Sequence, residues 1–231
     1  MFLRGHEATF TVAKTLEALQ LPYDAEMVLV DMPIGLTDDA VHREVETEVR
    51  TLLSPHKTSS VFPVPCREAV YASSWEAACK ANENNPKLNC GVNKQTFGIC
   101  RKIKELDVFL RAHPEWVPRV REAHPELCFA GLNAESGGPL ALESKKKDAL
   151  GQDDRLALLQ AHLPTAASIY EKMVRNTLHK QVQRDDAIDA LCLAVTAQLG
   201  SLNGFERVPR QTAIDAYQLP IELLYVNANT L

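Results

Sequence analysis

The sequence predicts an α/β protein in which a small sheet is covered by helices. One observation is helical periodicity, clearest in 94–112, where four apolar residues are in phase. They are Ile99, Ile103, Leu106 and Leu110. A second observation is the short apolar run AEMVLVD at 25–31, which is typical of a buried strand ending in a carboxylate. Because helical and strand-like segments alternate along the chain, we expect both element types in one fold.

The individual elements follow from periodicity and from turn-forming residues. We predict helices over 8–20, 38–53, 74–84, 94–112, 152–162, 165–178 and 185–199. We predict strands over 25–31, 118–132 (interrupted at Pro125) and 221–226, the last at a sheet edge. The segments 54–72, 84–93 and 134–151 are predicted loops. With no internal repeat and no clear linker, residues 1–231 are predicted to form a single domain.

Composition excludes several classes of protein. The 231 residues carry 25 Lys and Arg against 30 Asp and Glu, a formal charge of −5 that argues against a protein that coats DNA. We expect a cytoplasmic protein with no membrane contact, because long apolar runs and a secretory signal are missing. The 6 cysteines include no CxxC pair and are expected to be reduced. The P-loop, dinucleotide-binding, hydrolase-elbow and HExxH motifs are also absent from the sequence.

Acidic residues form the strongest candidate site. Asp31 stands at the end of a predicted strand, where the sites of open α/β sheets gather. Asp185, Asp186 and Asp189 begin the helix over 185–199, and their spacing places pairs of them on one face. Oxygen ligands of this kind suit Mg²⁺ or Mn²⁺. The alternative is that Asp185 and Asp186 only cap the helix.

The segment VREAHPELCF offers a second candidate. In an extended strand Glu122, His124 and Glu126 would alternate and face one side, as a ligand or acid/base cluster. The alternative is an exposed edge of the sheet. Basic residues in loops and at helix starts form a third group, which could contact phosphates or could simply be solvated. It includes Arg67, Lys94, the run Lys145–Lys147 and Arg155.

Seven segments together resemble domain-of-unknown-function family 429, whose members are regarded as predicted nucleases of the ribonuclease-H-like fold. The resemblance covers roughly residues 8–226. The segments are VDMPIGL at 30–36, VFPVPCREAV at 61–70, KQTFGICRKIKELD at 94–107, REAHPELCFAGLN at 121–133, SKKKDALGQDDRLALL at 144–159, DDAIDALCLAVTA at 185–197 and IDAYQLPIELLY at 214–225.

The resemblance implies a three-layer α/β/α fold with a five-stranded sheet and a metal held between carboxylates. Asp186 and Asp189 would match two acids on the last core helix, Asp31 would end the fourth strand, and the HPE segment would form the fifth. The family's opening strands, with their first Asp, have no counterpart here. We therefore expect an N-terminally shortened sheet, completed otherwise or by a partner chain in a homo-oligomer that covers the open edge.

Carboxylate placement and resemblance together predict a metal-dependent nuclease. Mg²⁺ or Mn²⁺ would be held by Asp31, Asp186 and Asp189, with Glu122 or Glu126 as a further ligand and His124 as a proton shuttle. Arg67, Lys94, Lys145 and Arg155 would hold phosphates of nucleic acid or of a phosphorylated small molecule. One alternative is a non-catalytic binding or scaffold protein on a decayed nuclease fold. Another is a hydrolase of a small phosphorylated metabolite.

Overall fold

The computed structural model of the protein describes residues 1–39, 41–177 and 182–230. Over these ranges short strands combine with longer helices, which confirms the predicted α/β class. The α-helices are α1 Leu16–Leu19, α2 Val45–Leu52, α3 Arg67–Tyr71, α4 Trp75–Asn84, α5 Lys94–Ala112, α6 Pro125–Leu132, α7 Ala149–His162, α8 Ala166–Asn176 and α9 Arg184–Asn203. The strands are β1 Phe2–Arg4, β2 Glu7–Thr9, β3 Val28–Val30, β4 Val120–Glu122, β5 Glu206–Ile214 and β6 Pro220–Tyr225. Among the helices described, none is long and apolar enough to cross a membrane.

The strands pair in twos. β1 and β2 form an antiparallel hairpin, β3 and β4 a parallel pair, and β5 and β6 an antiparallel pair. In the parallel pair Val28 lies opposite Val120 and Val30 lies opposite Glu122. β6 packs against β4, and all of its residues are buried. The parallel pair therefore lies against the buried strand β6, and β3 ends directly before Asp31.

The N-terminal segment differs from its prediction. The expected helix over 8–20 is wrong except for the single turn of α1, because residues 7–9 belong to a hairpin. Gly5 makes the hairpin turn with a φ of 59°, a conformation that glycine adopts without strain. Val12, which suggested a helical face, is 51% exposed. The apparent periodicity was therefore not produced by a buried helix face.

The segment 118–132 is also corrected. Its predicted strand is wrong beyond Glu122, because Pro125 begins helix α6. Proline suits the first position of a helix, where its missing N–H has no partner to lose. All residues of α6 are buried, so its apolar residues surround the helix and show no 3.6-residue period. Glu122, His124 and Glu126 consequently do not alternate along one strand, and the HPE segment does not form one.

Other predicted elements differ mainly in their bounds. The helix predicted over 38–53 begins only at Val45, and residue 40 lies outside the described residues. The predicted loop over 54–72 contains α3, and the long strand β5 was not predicted. The helix predicted over 165–178 corresponds to α8, and its last residue lies outside the described residues. The helices predicted over 74–84, 94–112, 152–162 and 185–199 are confirmed as α4, α5, α7 and α9.

The main core forms where α6 packs between α9, α7 and β6. Leu127, Phe129, Leu159, Ile188 and Leu191 are among its fully buried residues. Burying each such side chain contributes roughly 1.5–3 kcal/mol of transfer free energy. This packing holds the start of α9 against β3 and so determines where the acidic residues meet.

Candidate functional site

Four aspartates gather where β3 ends and α9 begins. Asp31 directly follows β3, while Asp185 and Asp186 lie in the first turn of α9 and Asp189 one turn later. Because α9 packs against β3, Asp31 interacts electrostatically with both Asp186 and Asp189. We call these four residues the acid cluster. The sequence analysis grouped them as one site, and the structure brings them together.

Lys146 contributes the positive charge that lies closest to this cluster among the ion pairs described. Its Nζ donates a hydrogen bond of 2.8 Å to Asp189 Oδ2 and lies 4.0 Å from Asp185 Oδ2. Burial lowers the pKa of Lys146, but the hydrogen bond to Asp189 and the charges of Asp189, Asp185 and Asp31 raise it above its usual value. Lys146 is therefore a charged counter-ion of the acid cluster.

Two aspartates of the cluster, Asp31 and Asp189, have raised pKa values, and burial is the largest cause in both. The pKa of Asp189 is raised to about 6, mainly by burial and also by the charges of Asp31 and Glu126, while Lys146 opposes the rise. Asp31 stays in contact with solvent, yet the protein packed around its carboxyl raises its pKa. The charge of Asp186 adds to that rise, while His124 and Lys146 oppose it. Since the ion pairs described for the four aspartates involve one cation, Lys146, the cluster has more acids than cations, and a further cation would relieve the difference.

The donor atoms of the acid cluster suit a hard divalent cation, because Mg²⁺ and Mn²⁺ prefer carboxylate oxygens. Their spacing is a different matter. Over the described ranges, no three His, Cys, Asp or Glu side chains converge closely enough to hold a metal ion. In this arrangement the Lys146 ammonium occupies the contact with Asp189 that a cation would need. The residues fit a metal in chemical type, and binding it would require Lys146 to give up that contact.

His124 lies next to the acid cluster. It precedes α6, and its Nε2 lies 3.3 Å from the carbonyl oxygen of Ser60. Its buried Nδ1 has no hydrogen-bond partner among the described residues. His124 and Asp31 both line a cavity of about 30 Å³, which has room for a water molecule or two. The imidazole could therefore exchange a proton with a water beside Asp31.

Glu122 and Glu126 make different contacts from the aspartates. Glu122 is buried and accepts hydrogen bonds from Arg43 at 2.5 Å and from the Ile34 N–H at 2.7 Å. Burial raises its pKa to about 7, and Arg43 opposes that rise while Glu46 adds to it. Since Arg43 also binds Glu46 at 2.5 Å, two carboxylates share one guanidinium. These contacts occupy both oxygens of Glu122 and favour a structural role.

Glu126 forms a buried ion pair with Arg155 that engages both carboxylate oxygens. Both Glu126 oxygens accept from Nη2 of Arg155, at 2.8 and 2.9 Å, and Arg155 is only 1% exposed. Arg155 also donates to the Gly151 and Ser144 carbonyls at 3.0 and 3.3 Å. Arg155, predicted to hold substrate, thus directs its charge inward to an acid that was predicted to hold metal.

The other predicted phosphate-binding residues lie in varied surroundings. Arg67 pairs with the buried Asp107 and Asp215. Lys94, at the start of α5, lies 5.1 Å from the ring centre of Trp75. Lys145 is exposed and adjoins Lys146. Lys145 therefore lies beside Lys146, the lysine that contacts Asp189 of the acid cluster.

The sequence analysis treated Lys145, Lys146 and Lys147 as one group. It did not predict that Lys146 contacts the acid cluster. A run of three lysines in a loop gives no signal of which one turns inward. Lys57 was also missed, although it is 8% exposed and its Nζ donates to the Ser144 carbonyl at 2.6 Å. Only the fold of residues 144–148, which we call the lysine strap, distinguishes Lys146 from Lys145 and Lys147.

Comparisons with known proteins bear on the family. Searches of curated proteins and of solved structures gave no match. The family model described as "Protein of unknown function (DUF429)" matches residues 1–213. This range includes the whole acid cluster, the lysine strap and the Glu126–Arg155 pair. It confirms the resemblance and contains six of the seven motifs, while the motif at 214–225 follows it. The chain therefore belongs to the DUF429 family.

Proposed function

We propose that this protein is a metal-dependent nuclease that hydrolyses phosphodiester bonds with Mg²⁺ or Mn²⁺. The observation that carries the proposal is the excess of acids in the acid cluster, where the ion pairs described for four aspartates involve one lysine, which contacts Asp189 and Asp185. Natural proteins rarely retain crowded carboxylates without a compensating cation or a task, because their mutual repulsion is destabilising. A divalent cation would relieve that repulsion.

Asp31, Asp186 and Asp189 would hold the ion. When bound, such an ion lowers the pKa of a water and stabilises negative charge on the leaving oxygen. His124 would accept or return a proton at Nδ1, the nitrogen that lacks a hydrogen-bond partner among the described residues. Asp186 and Asp31 are both exposed, which leaves the cluster open to a large substrate.

We also propose a ribonuclease-H-like ancestry for the fold, which would agree with this function. The parallel pairing of β3 with β4 and the acid that follows β3 are compatible with the core of such a fold. Two acids spaced i,i+3 on α9, Asp186 and Asp189, are compatible with its last core helix. The three two-stranded ladders in the described residues are a smaller arrangement than the five-stranded sheet that the fold implies.

A non-catalytic binding protein is the second candidate. It is favoured by the ion pair between Lys146 and Asp189, which neutralises one proposed ligand without any metal. A hydrolase of small phosphorylated metabolites would use the same residues as the nuclease, and the formal charge of −5 is compatible with it.

Calorimetric titration of Mn²⁺ tests the proposal. We expect the wild-type protein to bind Mn²⁺ and Asp186→Asn to bind at least about tenfold more weakly, since one charged ligand is lost. Asp154→Asn, at an exposed position of α7, is the matched control and should bind like the wild type. The same proteins would be assayed for Mn²⁺-dependent cleavage of single- and double-stranded DNA, of RNA and of a small phosphodiester.

The results separate the candidates. Cleavage of a polymer that weakens steeply with salt supports the nuclease, because phosphate contacts release counter-ions. Cleavage of the small phosphodiester alone favours the metabolite hydrolase. Neither Mn²⁺ binding nor cleavage of any substrate would leave the binding protein as the better account.

A further inference from the structure

Lys146 is placed in the acid cluster by the way the lysine strap is anchored. The Ser144 carbonyl at the start of the strap accepts hydrogen bonds from Lys57 Nζ at 2.6 Å and from Arg155 Nη1 at 3.3 Å. Lys57 and Arg155 are buried, and Arg155 is itself held by Glu126. The backbone just before Lys146 is therefore tied to the protein interior by two cationic side chains.

Gly151 anchors the strap from the other side. A Cβ added at Gly151 would lie 1.9 Å from the Lys145 carbonyl oxygen and 2.6 Å from its carbonyl carbon. The strap backbone thus lies directly against the first turn of α7, at a distance that only glycine allows. This close packing limits the positions from which the Lys146 side chain can leave the backbone.

The three consecutive lysines have different surroundings as a result. Lys145 and Lys147 are exposed, whereas Lys146 points to Asp189 and Asp185. Residues 146 and 147 form a turn, in which the Lys146 side chain reaches the acid cluster while Lys145 and Lys147 stay exposed. Lys145 and Lys147 therefore offer matched controls with the same charge in the same segment.

The Lys146 ammonium is not locked in place. Its side chain is 37% exposed, whereas the Arg43 and Arg155 side chains are 1% exposed. An ammonium is a compact point charge on a flexible stem, and it can leave one carboxylate for another anion without breaking a two-point pair. Solvent access gives Lys146 a path out of the acid cluster.

We propose that Lys146 is an exchangeable internal counter-ion: it competes with the divalent cation for Asp189 and, once displaced, binds an anionic oxygen of the substrate. This inference rests on the proposed function, since it takes the acid cluster as the metal site. In the absence of metal Lys146 stabilises the cluster, and in its presence the ammonium would lose its contact with Asp189 and keep only Asp185, 4.0 Å away, as a carboxylate neighbour. A phosphate oxygen at that position would be its natural partner.

The test compares Lys146→Met with Lys145→Met and Lys147→Met. The first readout is Mn²⁺ affinity by calorimetry, where Lys146→Met should bind on the order of tenfold more tightly than the wild type because a competing charged hydrogen bond is gone. The second readout is the melting temperature without metal, which should fall in Lys146→Met and recover with Mn²⁺. The third is the affinity of the Mn²⁺-loaded protein for inorganic phosphate, which should fall severalfold in Lys146→Met. Both control variants should resemble the wild type in the first two readouts, and Lys147→Met should resemble it in the third as well.

Lys146→Arg guards against a folding defect, because it keeps the charge and should return Mn²⁺ affinity towards the wild-type value. Tighter binding by Lys146→Met supports the inference, including the case in which the wild type binds no Mn²⁺ and the variant does. Equal or weaker binding by Lys146→Met overturns it and leaves the metal site standing. If neither protein binds Mn²⁺, the proposed function fails together with this inference.

Discussion

Two groups of acidic side chains lie close together in this protein and are neutralised in different ways. Glu122 and Glu126 are buried and paired with Arg43 and Arg155, whose side chains are 1% exposed. The acid cluster meets only one lysine among the described ion pairs, and that side chain is 37% exposed. Both groups looked alike in the sequence, as candidate ligands for the same ion.

The difference shows how the partner determines what an acid can do. A guanidinium presents several N–H groups, so Arg155 bonds both oxygens of Glu126 through Nη2 and still donates to backbone carbonyls through Nη1. An acid held in that way has no free oxygen and acts as a structural element. A lysine bonds one oxygen of Asp189 and leaves the remaining lone pairs of the cluster available. These free lone pairs could bind a cation, whereas the oxygens of Glu126 are already occupied.

Breaking the arginine-paired side should have the largest effect. Arg155→Met leaves Glu126 buried without its partner and releases the Ser144 carbonyl, so we expect the free energy of unfolding to fall by about 3–5 kcal/mol. Urea denaturation would measure it. Lys145→Met is the control, with an expected change within about 0.5 kcal/mol because its side chain is exposed. A loss below 1 kcal/mol in Arg155→Met would mean that the two groups of acids do not differ as described.

The pH dependence of stability should reveal the excess charge around Arg43. Burial raises the pKa of Glu122 from 4.5 to about 7, so the folded protein binds more protons than the unfolded chain between these values. Stability is therefore highest below about pH 4.5 on account of this group and falls as pH rises towards 7, by on the order of 2–3 kcal/mol. Urea denaturation at pH 5 and pH 7 checks this, and Glu122→Gln should reduce the difference. An unchanged pH dependence in Glu122→Gln would contradict it.

Displacing the lysine strap should affect both the arginine-paired glutamates and the acid cluster. Gly151→Ala places a methyl group against the Lys145 carbonyl, and we expect it to lower the free energy of unfolding by about 1–3 kcal/mol. Because the strap positions Lys146, Mn²⁺ affinity should change in the same variant. Gly98→Ala is the matched control, since nothing lies within 4 Å of a Cβ added there. If Gly151→Ala behaves like Gly98→Ala, the strap is not held as tightly as the contact indicates.

Neutralising a cluster acid should have the smallest effect on stability. Asp189→Asn removes a carboxylate whose pKa is already raised by burial and by Asp31. The amide oxygen of the new asparagine side chain can still accept the hydrogen bond from Lys146. We expect a change below about 1 kcal/mol without metal. Glu126→Gln, in contrast, should cost about 2–4 kcal/mol because Arg155 loses a charged partner. Thermal denaturation of the two variants side by side compares them directly, and an equal loss would remove the distinction.

Local sequence signals predicted much of the fold. The period of apolar residues predicted α5 with its observed bounds, Lys94–Ala112, and placed α4, α7 and α9 within a few residues. The prediction failed where burial was complete or where polar residues formed a strand. Helix α6 is buried on every side and therefore shows no period, and β5 carries exposed charged residues that hide its strand character.

The candidate site was predictable only in part. Asp31 and the aspartates of α9 could be grouped, because the ends of strands and the first turns of helices have defined positions in an α/β fold. The pairing of Glu126 with Arg155 could not be predicted, since 28 residues separate them and neither carries a signal of the other. The same holds for Arg43 and Glu122, which lie 79 residues apart.

The sequence by itself determined the family, the mixed α/β class and the location of the acid cluster, because each depends on residue types at short spacings or on motifs in a set order. Only the tertiary structure decided which acids are neutralised by arginine and which by Lys146. The reason is physical: an ion pair depends on distances of a few ångströms between side chains, and those distances come from the packing of α6, α7 and α9. The structure thus distinguishes Lys146 from its two neighbouring lysines as the residue that contacts the proposed site.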